Sequence, residues 1–192
     1  MASVGNRTST SAAVAPRLII LTGASHTGKT SVARELTRQA PPPVAYLSVD
    51  EILSAVLTAP SGSIWEQIPL AYRLMHAQAG VLLEAGWLTI LESTFTYVPE
   101  EGAPELHLNE LQRLVELAEQ TPVPLTVARL EVPSKQLIER VRATGRLDPN
   151  IAAQTAALHE EAEMPATTLR LDASSATAEQ LASQVLSSAS PD

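Results

Sequence analysis

Two glycines, a lysine and a threonine lie at fixed spacing near the start of the chain. Gly23 is followed by four variable residues and then by Gly28, Lys29 and Thr30. Glycine permits a sharp turn and the close approach of backbone to a phosphate, and the N–H groups of such a loop point at the phosphate oxygens. The lysine reaches the β- and γ-phosphates and the threonine hydroxyl binds Mg²⁺. The pattern therefore predicts a loop that binds a nucleoside triphosphate and its magnesium ion.

The flanking sequence places this loop in the setting that the motif requires. The apolar run at 18–21 predicts a strand buried on both faces, and residues 31–39 predict an amphipathic helix. A glycine-rich turn that arose by chance would not require a buried strand before it and an amphipathic helix after it. His26 is expected to be a loop residue near the nucleotide rather than a catalytic base. We expect these residues to bind the nucleotide: Gly23, Ala24, Ser25, His26, Thr27, Gly28, Lys29, Thr30 and Ser31.

Apolar runs and amphipathic segments alternate along the rest of the chain. The patterns predict strands at 18–21, 44–48, 87–91, 125–130 and 168–171. They predict helices at 31–39, 51–57, 66–84, 106–120, 134–142, 148–163 and 175–188, and a loop at 97–104. Strands that alternate with helices indicate an α/β fold with a doubly wound parallel sheet. We predict a flexible tail at 1–16 and a single domain at 17–189, with a helical lid at about 140–165.

Acidic residues follow two of the predicted strands. In an open α/β sheet, ligands lie beyond the carboxyl ends of the strands, so Asp50 and Glu92 are candidate site residues. Asp50 could accept the proton of an attacking hydroxyl, or it could cap the helix predicted at 51–57. Glu92 could hold a water molecule of the Mg²⁺ shell; the alternatives are contact with the substrate and a solvated strand end. Asp172 is expected in a turn or cap before the last helix.

Three arginines follow one another closely near the predicted lid, namely Arg140, Arg142 and Arg146. A lid that carries arginine can close over a triphosphate and stabilise the charge on the transferring phosphoryl group. The alternative is a solvated helix end, where cations meet the negative end of the helix dipole. Because phosphoryl transfer needs more positive charge than Lys29 supplies, we expect at least one of the three to act in catalysis.

The composition restricts the partners. A formal net charge of −8 argues against a nucleic acid or an anionic membrane surface, and the apolar runs are too short to span a bilayer. The chain has no cysteine, which excludes a thiol nucleophile, a disulfide framework and a cysteine-ligated zinc site. We expect a cytoplasmic protein with a small-molecule partner, and the sequence leaves the oligomeric state open.

The assembled motifs resemble those of small P-loop kinases, a group that includes chloramphenicol phosphotransferase, zeta-toxin-like sugar-nucleotide kinases and polynucleotide kinases. The chloramphenicol phosphotransferase type is the best match, over roughly 17–186. The resemblance implies ATP and Mg²⁺ as cofactors, a sheet of strand order 2-3-1-4-5, an arginine-bearing lid and Asp50 as the general base. Four stretches carry it: 18–30; 49–53; 142–146 with Gln154, His159 and Glu160; and 169–174.

Two features depart from that resemblance. Polynucleotide kinases carry an arginine shortly after the catalytic aspartate, where this chain has Leu53, and this argues against a nucleic acid acceptor. Residues 58–72 and 93–105 do not match the antibiotic kinase closely, so they should shape the acceptor pocket. The aromatic residues available there could contact the acceptor or belong to the core; they are Trp65, Tyr72, Phe95 and Tyr97.

The leading hypothesis is an ATP-dependent kinase that phosphorylates a hydroxyl of a small molecule such as an antibiotic or another natural product. Asp50 is then the base, while Thr30 and Glu92 organise Mg²⁺. One alternative is a zeta-toxin-like kinase of a nucleotide sugar, and another is a non-catalytic ATP-binding protein of resistance or regulation. A GTPase is not supported, because the sequence contains neither an Asn-Lys-x-Asp nor an Asp-x-x-Gly motif.

Overall fold

The fold is built around a parallel sheet whose strands alternate with helices along the chain. The computed structural model describes residues 16–56, 67–98 and 103–188, so the tail predicted at 1–16 lies outside the described residues except for Pro16. The strands are β1 (Arg17–Thr22), β2 (Val44–Ser48), β3 (Leu88–Glu92), β4 (Thr96–Tyr97), β5 (Glu105–Leu106), β6 (Leu125–Glu131) and β7 (Leu169–Asp172). The helices are α1 (Lys29–Gln39), α2 (Val49–Glu51), α3 (Ile68–Glu84), α4 (Leu108–Gln120), α5 (Ser134–Thr144), α6 (Pro149–Glu161) and α7 (Ala178–Ser188), and a π-helical segment, Ile52–Val56, continues α2.

Five strands form the main sheet in the order β2-β3-β1-β6-β7. All four pairings in it are parallel. When the two short strands β4 and β5 are set aside, this order reads 2-3-1-4-5 in chain sequence, as predicted. Parallel strands end at the same edge of a sheet, so the residues that follow β1, β2 and β3 meet above one edge.

Helices cover both faces of this sheet. Alternate residues of β1 point to opposite faces, and Leu18, Ile19, Ile20 and Leu21 are all fully buried. Ile19 and Leu21 pack in a cluster with residues of α1 and α7, whereas Leu18 and Ile20 pack with residues of α3 and α4. Burial of one such side chain contributes about 1.5–3 kcal/mol, so the central strand that precedes the phosphate loop is firmly held.

A short hairpin departs from the predicted elements. β4 and β5 pair antiparallel, with Thr96 opposite Leu106 and Tyr97 opposite Glu105. Tyr97 is therefore in a strand rather than in the loop predicted at 97–104, and α4 begins at Leu108 rather than at 106. Two-residue strands are too short to show the alternation that identifies a strand in a sequence, which is why this hairpin is not predicted.

Helix α6 occupies the region where a lid is predicted. Asp148 caps it, because its carboxylate accepts a hydrogen bond of 2.7 Å from the N–H of Asn150, and Pro149 takes the first helical position, where proline is favoured. The helix buries His159, whose Nε2 lies 3.3 Å from Thr96 Oγ1 in the hairpin. The helical structure is confirmed, and the closing of this segment over a ligand stays a prediction.

Among the described helices, none combines the length and the apolar character that crossing a membrane would require.

Candidate active site

The loop between β1 and α1 has a backbone that requires glycine. Gly23 has φ of 133°, and a Cβ atom added there would lie 2.5 Å from the carbonyl oxygen of Leu130 in the neighbouring strand β6. Gly28 has φ of 100° and directly precedes α1, so the free N–H groups of the first helical turn face the loop. Thr27 closes a turn by donating its hydroxyl to the Ala24 carbonyl at 2.9 Å. This is the local geometry that the sequence motif predicts for phosphate binding.

Lys29 lies inside this loop. Its side chain is buried, and Nζ donates hydrogen bonds to the carbonyl oxygens of Gly23 at 3.0 Å and Ala24 at 2.9 Å. Burial lowers the pKa of the Lys29 amino group, and the nearby carboxylates of Glu92 and Asp50 oppose that change. A buried ammonium group whose hydrogen bonds in the described structure go to carbonyl oxygens gains strongly from an anion in direct contact, which the phosphates of a nucleotide would supply.

An open cleft of about 540 Å³, which we call the phosphate cleft, lies over the loop. It extends from α1 to the end of α5 and includes the acidic residues at the ends of β2 and β3. Its lining comprises Ser25, His26, Gly28, Lys29, Thr30, Ser31, Asp50, Glu92, Thr94, Arg140, Thr144 and Arg146. The structure thus brings together most of the residues predicted from the sequence, although they come from four separate stretches of the chain.

Glu92 is a buried carboxylate rather than a solvated strand end. It accepts a hydrogen bond of 2.7 Å from Thr30 Oγ1 and another from the Tyr46 hydroxyl. Loss of hydration and the carboxylate of Glu92 both raise the pKa of Tyr46, so that residue stays a neutral donor. Tyr46 was not among the predicted site residues. The register of β2 against β3, in which Ser48 lies opposite Glu92, brings Tyr46 near, and an isolated sequence does not supply that register.

The oxygen atoms around Thr30 fit a magnesium ion. Mg²⁺ prefers hard oxygen ligands, and kinase sites hold it through one or two carboxylates, water molecules and the phosphates of the substrate. Thr30 Oγ1 and the Glu92 carboxylate supply such oxygens at the mouth of the phosphate loop. Among the described residues, no three His, Cys, Asp or Glu side chains form a metal cluster, so the nucleotide would have to supply further ligands.

Asp50 lies in the first turn of α2 and does not cap it. The helix begins at Val49 and Ser48 takes the cap position, so the capping alternative is wrong. Solvent reaches the Asp50 side chain through the cleft, but the surrounding protein removes part of its hydration. This loss raises the pKa of the Asp50 carboxyl, against the effect of Lys29 and together with that of Glu92. A higher pKa makes a carboxylate a stronger base.

A second pocket of about 110 Å³ adjoins the phosphate cleft at Asp50. Ser25, Asp50 and Thr94 line both spaces. The remaining lining residues of this pocket are Val49, Leu53, Ile68, Tyr72, Ser93, Thr96, Val98, Leu147, Ile151 and Thr155. A molecule in this pocket would meet a nucleotide in the cleft at the Asp50 carboxylate.

The three candidate arginines have different surroundings. Arg140 lines the cleft and donates hydrogen bonds to the carbonyl oxygens of His26 at 3.4 Å and Ala173 at 2.9 Å. Arg146 also lines the cleft, one residue beyond Gly145, which ends α5 with φ of 62°. Arg142 is exposed and does not line the cleft in the described structure. The solvated helix end therefore describes Arg142, and of the three arginines Arg140 and Arg146 line the cleft.

His26 is held by the end of α5 rather than poised for catalysis. Its Nε2 lies 2.9 Å from Thr144 Oγ1. Burial, followed by the charges of Lys29 and Arg146, lowers the pKa of His26, so the ring is neutral near pH 7. This agrees with its interpretation as a loop residue.

The predicted aromatic residues divide between the pocket and the core. Tyr72 lines the second pocket, and Phe95 is buried in the core, with its ring 5.7 Å from that of Tyr72. Tyr97 stacks on His107 in the hairpin region. Trp65 lies outside the described residues.

Comparisons with solved structures identify the fold. The tunicamycin resistance protein of Deinococcus radiodurans is 17% identical and has a TM-score of 0.62, with 90% of this chain and 94% of that chain covered. The APS kinase CysC of Mycobacterium tuberculosis is 16% identical, with a TM-score of 0.64 and coverage of 91% and 97%. A sugar kinase from Janibacter is 18% identical, with a TM-score of 0.57 and coverage of 90% and 93%. At these identities the likeness shows a shared fold alone.

None of the curated proteins compared matches this sequence. A protein-family model described as an AAA domain matches residues 18–164, a span that includes the phosphate loop, Asp50, Glu92 and all of α6. Since the match extends over well above half of the chain, the protein belongs to this AAA domain family of P-loop, kinase-like nucleotide-binding proteins.

Proposed function

We propose that this protein is an ATP-dependent phosphotransferase that moves the γ-phosphate of ATP to a hydroxyl group of a small molecule. The observation that carries the proposal is the position of Asp50, which lines both the phosphate cleft and the adjoining pocket. A base at that junction can act on an acceptor in one space and a nucleotide in the other. The AAA domain match supports the nucleotide half of this arrangement, and the structurally similar APS kinase was solved in complex with AMPPNP and APS.

The nucleotide would be held by its phosphates. Backbone N–H groups of the loop and of the first turn of α1 donate to the β-phosphate, while Lys29 turns from the carbonyl oxygens of the loop to the β- and γ-phosphates. Arg140 and Arg146 add positive charge at the far side of the cleft. A magnesium ion held by Thr30 and Glu92 would neutralise part of the phosphate charge.

Asp50 acts on the acceptor. Its carboxylate accepts the proton of the acceptor hydroxyl while the hydroxyl oxygen forms a bond to the γ-phosphorus. The bond between that phosphorus and the bridging oxygen of ATP breaks, and ADP leaves with the electron pair. Lys29, Arg140 and Arg146 stabilise the negative charge that spreads over the transferring group. The products are ADP and a phosphate monoester of the acceptor.

Two other functions remain as alternatives. A non-catalytic ATP-binding protein would explain the phosphate loop but would give no duty to a base of raised pKa at the junction of two pockets. A kinase of nucleotide sugars would use the same machinery with a different acceptor. The Deinococcus neighbour is a tunicamycin resistance protein, which favours a natural product as the acceptor and, with it, a cytoplasmic role in resistance.

The direct experiment measures transfer of a labelled phosphate. Purified full-length protein would be incubated with Mg²⁺, ATP labelled on its γ-phosphate and a panel of hydroxylated antibiotics, nucleosides, nucleotide sugars and an oligonucleotide, and products would be identified by mass spectrometry. We expect a labelled monoester of a small molecule. Tight ATP binding without transfer to any member of the panel would favour the non-catalytic alternative.

Three variants test the assigned roles. Lys29→Ala should abolish both ATP binding and transfer, whereas Lys135→Ala, which changes the other lysine of the chain at an exposed position of α5, should leave both unchanged. Asp50→Asn should still bind ATP and should lower the transfer rate by about 10²–10⁴-fold, the range typical of a general base. Transfer at the wild-type rate by Asp50→Asn would show that Asp50 is not the base.

A further inference from the structure

The pocket that adjoins the phosphate cleft has an unusual balance of lining groups. Among the described residues that line this pocket, Asp50 is the one charged residue. Six lining side chains bear hydroxyl groups: Ser25, Tyr72, Ser93, Thr94, Thr96 and Thr155. Six are aliphatic: Val49, Leu53, Ile68, Val98, Leu147 and Ile151. A pocket of this kind can accept hydrogen bonds from a neutral group, donate to it and pack against apolar carbon.

The cations of the site all lie in the other space. Lys29, Arg140 and Arg146 line the phosphate cleft but not this pocket. Two internal segments lie outside the described residues: 57–66, which falls between Leu53 and Ile68 in the sequence, and 99–102, which follows Val98. They contain no lysine, arginine or histidine, and they include Glu66, Glu100 and Glu101. Neither the described lining residues nor these two segments of the sequence contain a cationic side chain that could pair with an anion.

An anionic acceptor would therefore be poorly held. Phosphate, sulfate and carboxylate groups in binding sites are commonly paired with arginine or lysine, because an unpaired anion loses its hydration without compensation. The first residues of α2 and α3, Val49 and Ile68, line this pocket, but a helix N-terminus supplies only about half a positive charge. Here such a group would instead lie near the Asp50 carboxylate, and like charges at short range repel each other strongly where water is excluded. Charge thus selects against acceptors that carry an anion close to the reactive hydroxyl.

We propose that the phosphate acceptor is an uncharged molecule whose reactive hydroxyl is attached beside an apolar group. The inference rests on the proposed phosphotransferase function, and it separates that function from kinases whose acceptors bear a phosphate or sulfate. Aliphatic side chains of α6 and of the segment after α2 pack against the apolar part, and the hydroxyl-bearing side chains bind the neutral polar part. Thr94, which lines both spaces, lies beside the point of transfer.

Matched pairs of probes test the acceptor class by binding. Wild-type protein saturated with AMPPNP and Mg²⁺ would be titrated calorimetrically with three pairs: a nucleoside and its 5′-monophosphate, an N-acetylated amino sugar and its phosphate ester, and an aryl-substituted diol and its ring-sulfonated form. We expect at least one uncharged member to bind, and to bind at least tenfold more tightly than its charged partner. Equal or tighter binding of the charged members, or no binding by any uncharged member, would overturn the proposal.

A new cation in the pocket should reverse this preference. Ile151 is half-buried on α6, so Ile151→Arg places a guanidinium in the lining with less risk to folding than a change at the buried Leu53. The variant should bind charged probes at least fivefold more tightly than wild type does. Val81→Arg, at a 67% exposed position of α3, adds the same charge away from the pocket and should keep the wild-type preference. Equal behaviour of the two variants would contradict the assigned pocket.

The transfer assay on the same probes separates the two proposals. If uncharged probes bind but receive no labelled phosphate, the phosphotransferase function fails while the class of ligand stands. If a charged probe is the one phosphorylated efficiently, the function stands and the acceptor class is wrong.

Discussion

Asp50 shows at the residue scale how a carboxylate that is proposed to act as a base can lower the stability of the fold. Its carboxylate loses hydration inside the fold and lies near the carboxylate of Glu92, and these effects raise the pKa of Asp50 although Lys29 acts against them. A carboxyl group whose pKa is higher in the folded protein than in the unfolded chain destabilises the fold whenever it is ionised. The same rise in pKa makes the ionised carboxylate a stronger base.

Asp50→Asn should therefore give a protein that is more stable and less active. The folded carboxyl binds its proton more readily than the unfolded one, so wild-type stability falls as pH rises from the ordinary value of 3.8 through the raised pKa. The gain in the variant should be full above the raised pKa and absent below about pH 3.8. Since solvent reaches the side chain, we expect a rise in Tm of less than about 4 °C at pH 7, the shift that 1 kcal/mol gives.

Thermal unfolding of both proteins between pH 3 and pH 8, without Mg²⁺ or nucleotide, would measure this gain. Glu51→Gln provides the control, because it removes an exposed carboxylate from the next position of α2. A variant less stable than wild type at pH 7 would show that Asp50 makes a stabilising contact.

The connection between β1 and α1 shows at the element scale why the loop tolerates so little change. Gly23 combines a positive φ with a place where a side chain would meet the backbone of β6, whereas Gly86, which follows α3, combines φ of 83° with open space. A side chain at either position would strain the backbone, but only a side chain at Gly23 would also collide with neighbouring atoms. Gly86 therefore provides a reference for backbone strain without collision, against which strain together with collision at Gly23 can be compared.

Gly23→Ala should cost more stability than Gly86→Ala. Strain in a left-handed conformation costs about 1–2 kcal/mol, and overpacking against rigid backbone adds roughly 1–3 kcal/mol. We expect Gly23→Ala to lower the free energy of unfolding by about 2 kcal/mol more than Gly86→Ala, and to weaken ATP binding as the loop moves from β6. Urea unfolding and nucleotide titration would measure both effects. Equal losses of stability in the two variants would mean that the loop relaxes freely at Gly23.

At this scale the sequence predicts the longer elements well and the short ones poorly. β1 contains a continuous apolar run, α1 has an amphipathic pattern, and a motif of known geometry lies between them, so the placement of both elements and of the phosphate loop follows from the residues. The β4–β5 hairpin has only two residues on each side and shows no period. Tyr46 on β2 reaches Glu92 because of strand register, and single-sequence patterns carry no information on which residues of different strands lie opposite each other.

For the whole molecule, α6 joins the parts of the site through one buried histidine. His159 is 4% exposed, contacts Thr96 of the β4–β5 hairpin and lies on the helix that also lines the proposed acceptor pocket. Burial, followed by the charges of Lys29 and Arg129, lowers the pKa of His159 to about 3. The folded protein therefore holds this ring neutral over a pH range in which the unfolded chain would protonate it.

Acid should consequently weaken the fold well above the range of carboxylate titration. The neutral His159 ring contributes its full share of the folding stability above pH 6.5, the ordinary pKa of histidine. This stabilisation is lost as the pH falls from there toward 3, because the unfolded chain binds a proton that the folded protein does not. Between pH 7 and pH 5 this loss is on the order of 2 kcal/mol. His159→Gln should be less stable than wild type at pH 7 and should lose less stability on going to pH 5.

Chemical denaturation at pH 7, 6 and 5 would compare the two proteins. His107→Gln, in the half-buried residue just before α4, serves as the control for removal of a histidine. Parallel pH profiles for wild type and His159→Gln would show that the ring does not stay neutral in the fold.

The central position of β1 has a consequence for the order in which the molecule forms during synthesis. Leu18 pairs with Thr89 of β3 on one side and with Leu125 of β6 on the other. Both strands that support the phosphate loop are therefore synthesised long after the loop itself leaves the ribosome. Contacts between residues so distant in sequence form slowly, since a large loop of chain must close first. A nascent chain would therefore carry its nucleotide motif for most of translation without a working site, and would first become able to bind ATP once β6 has emerged.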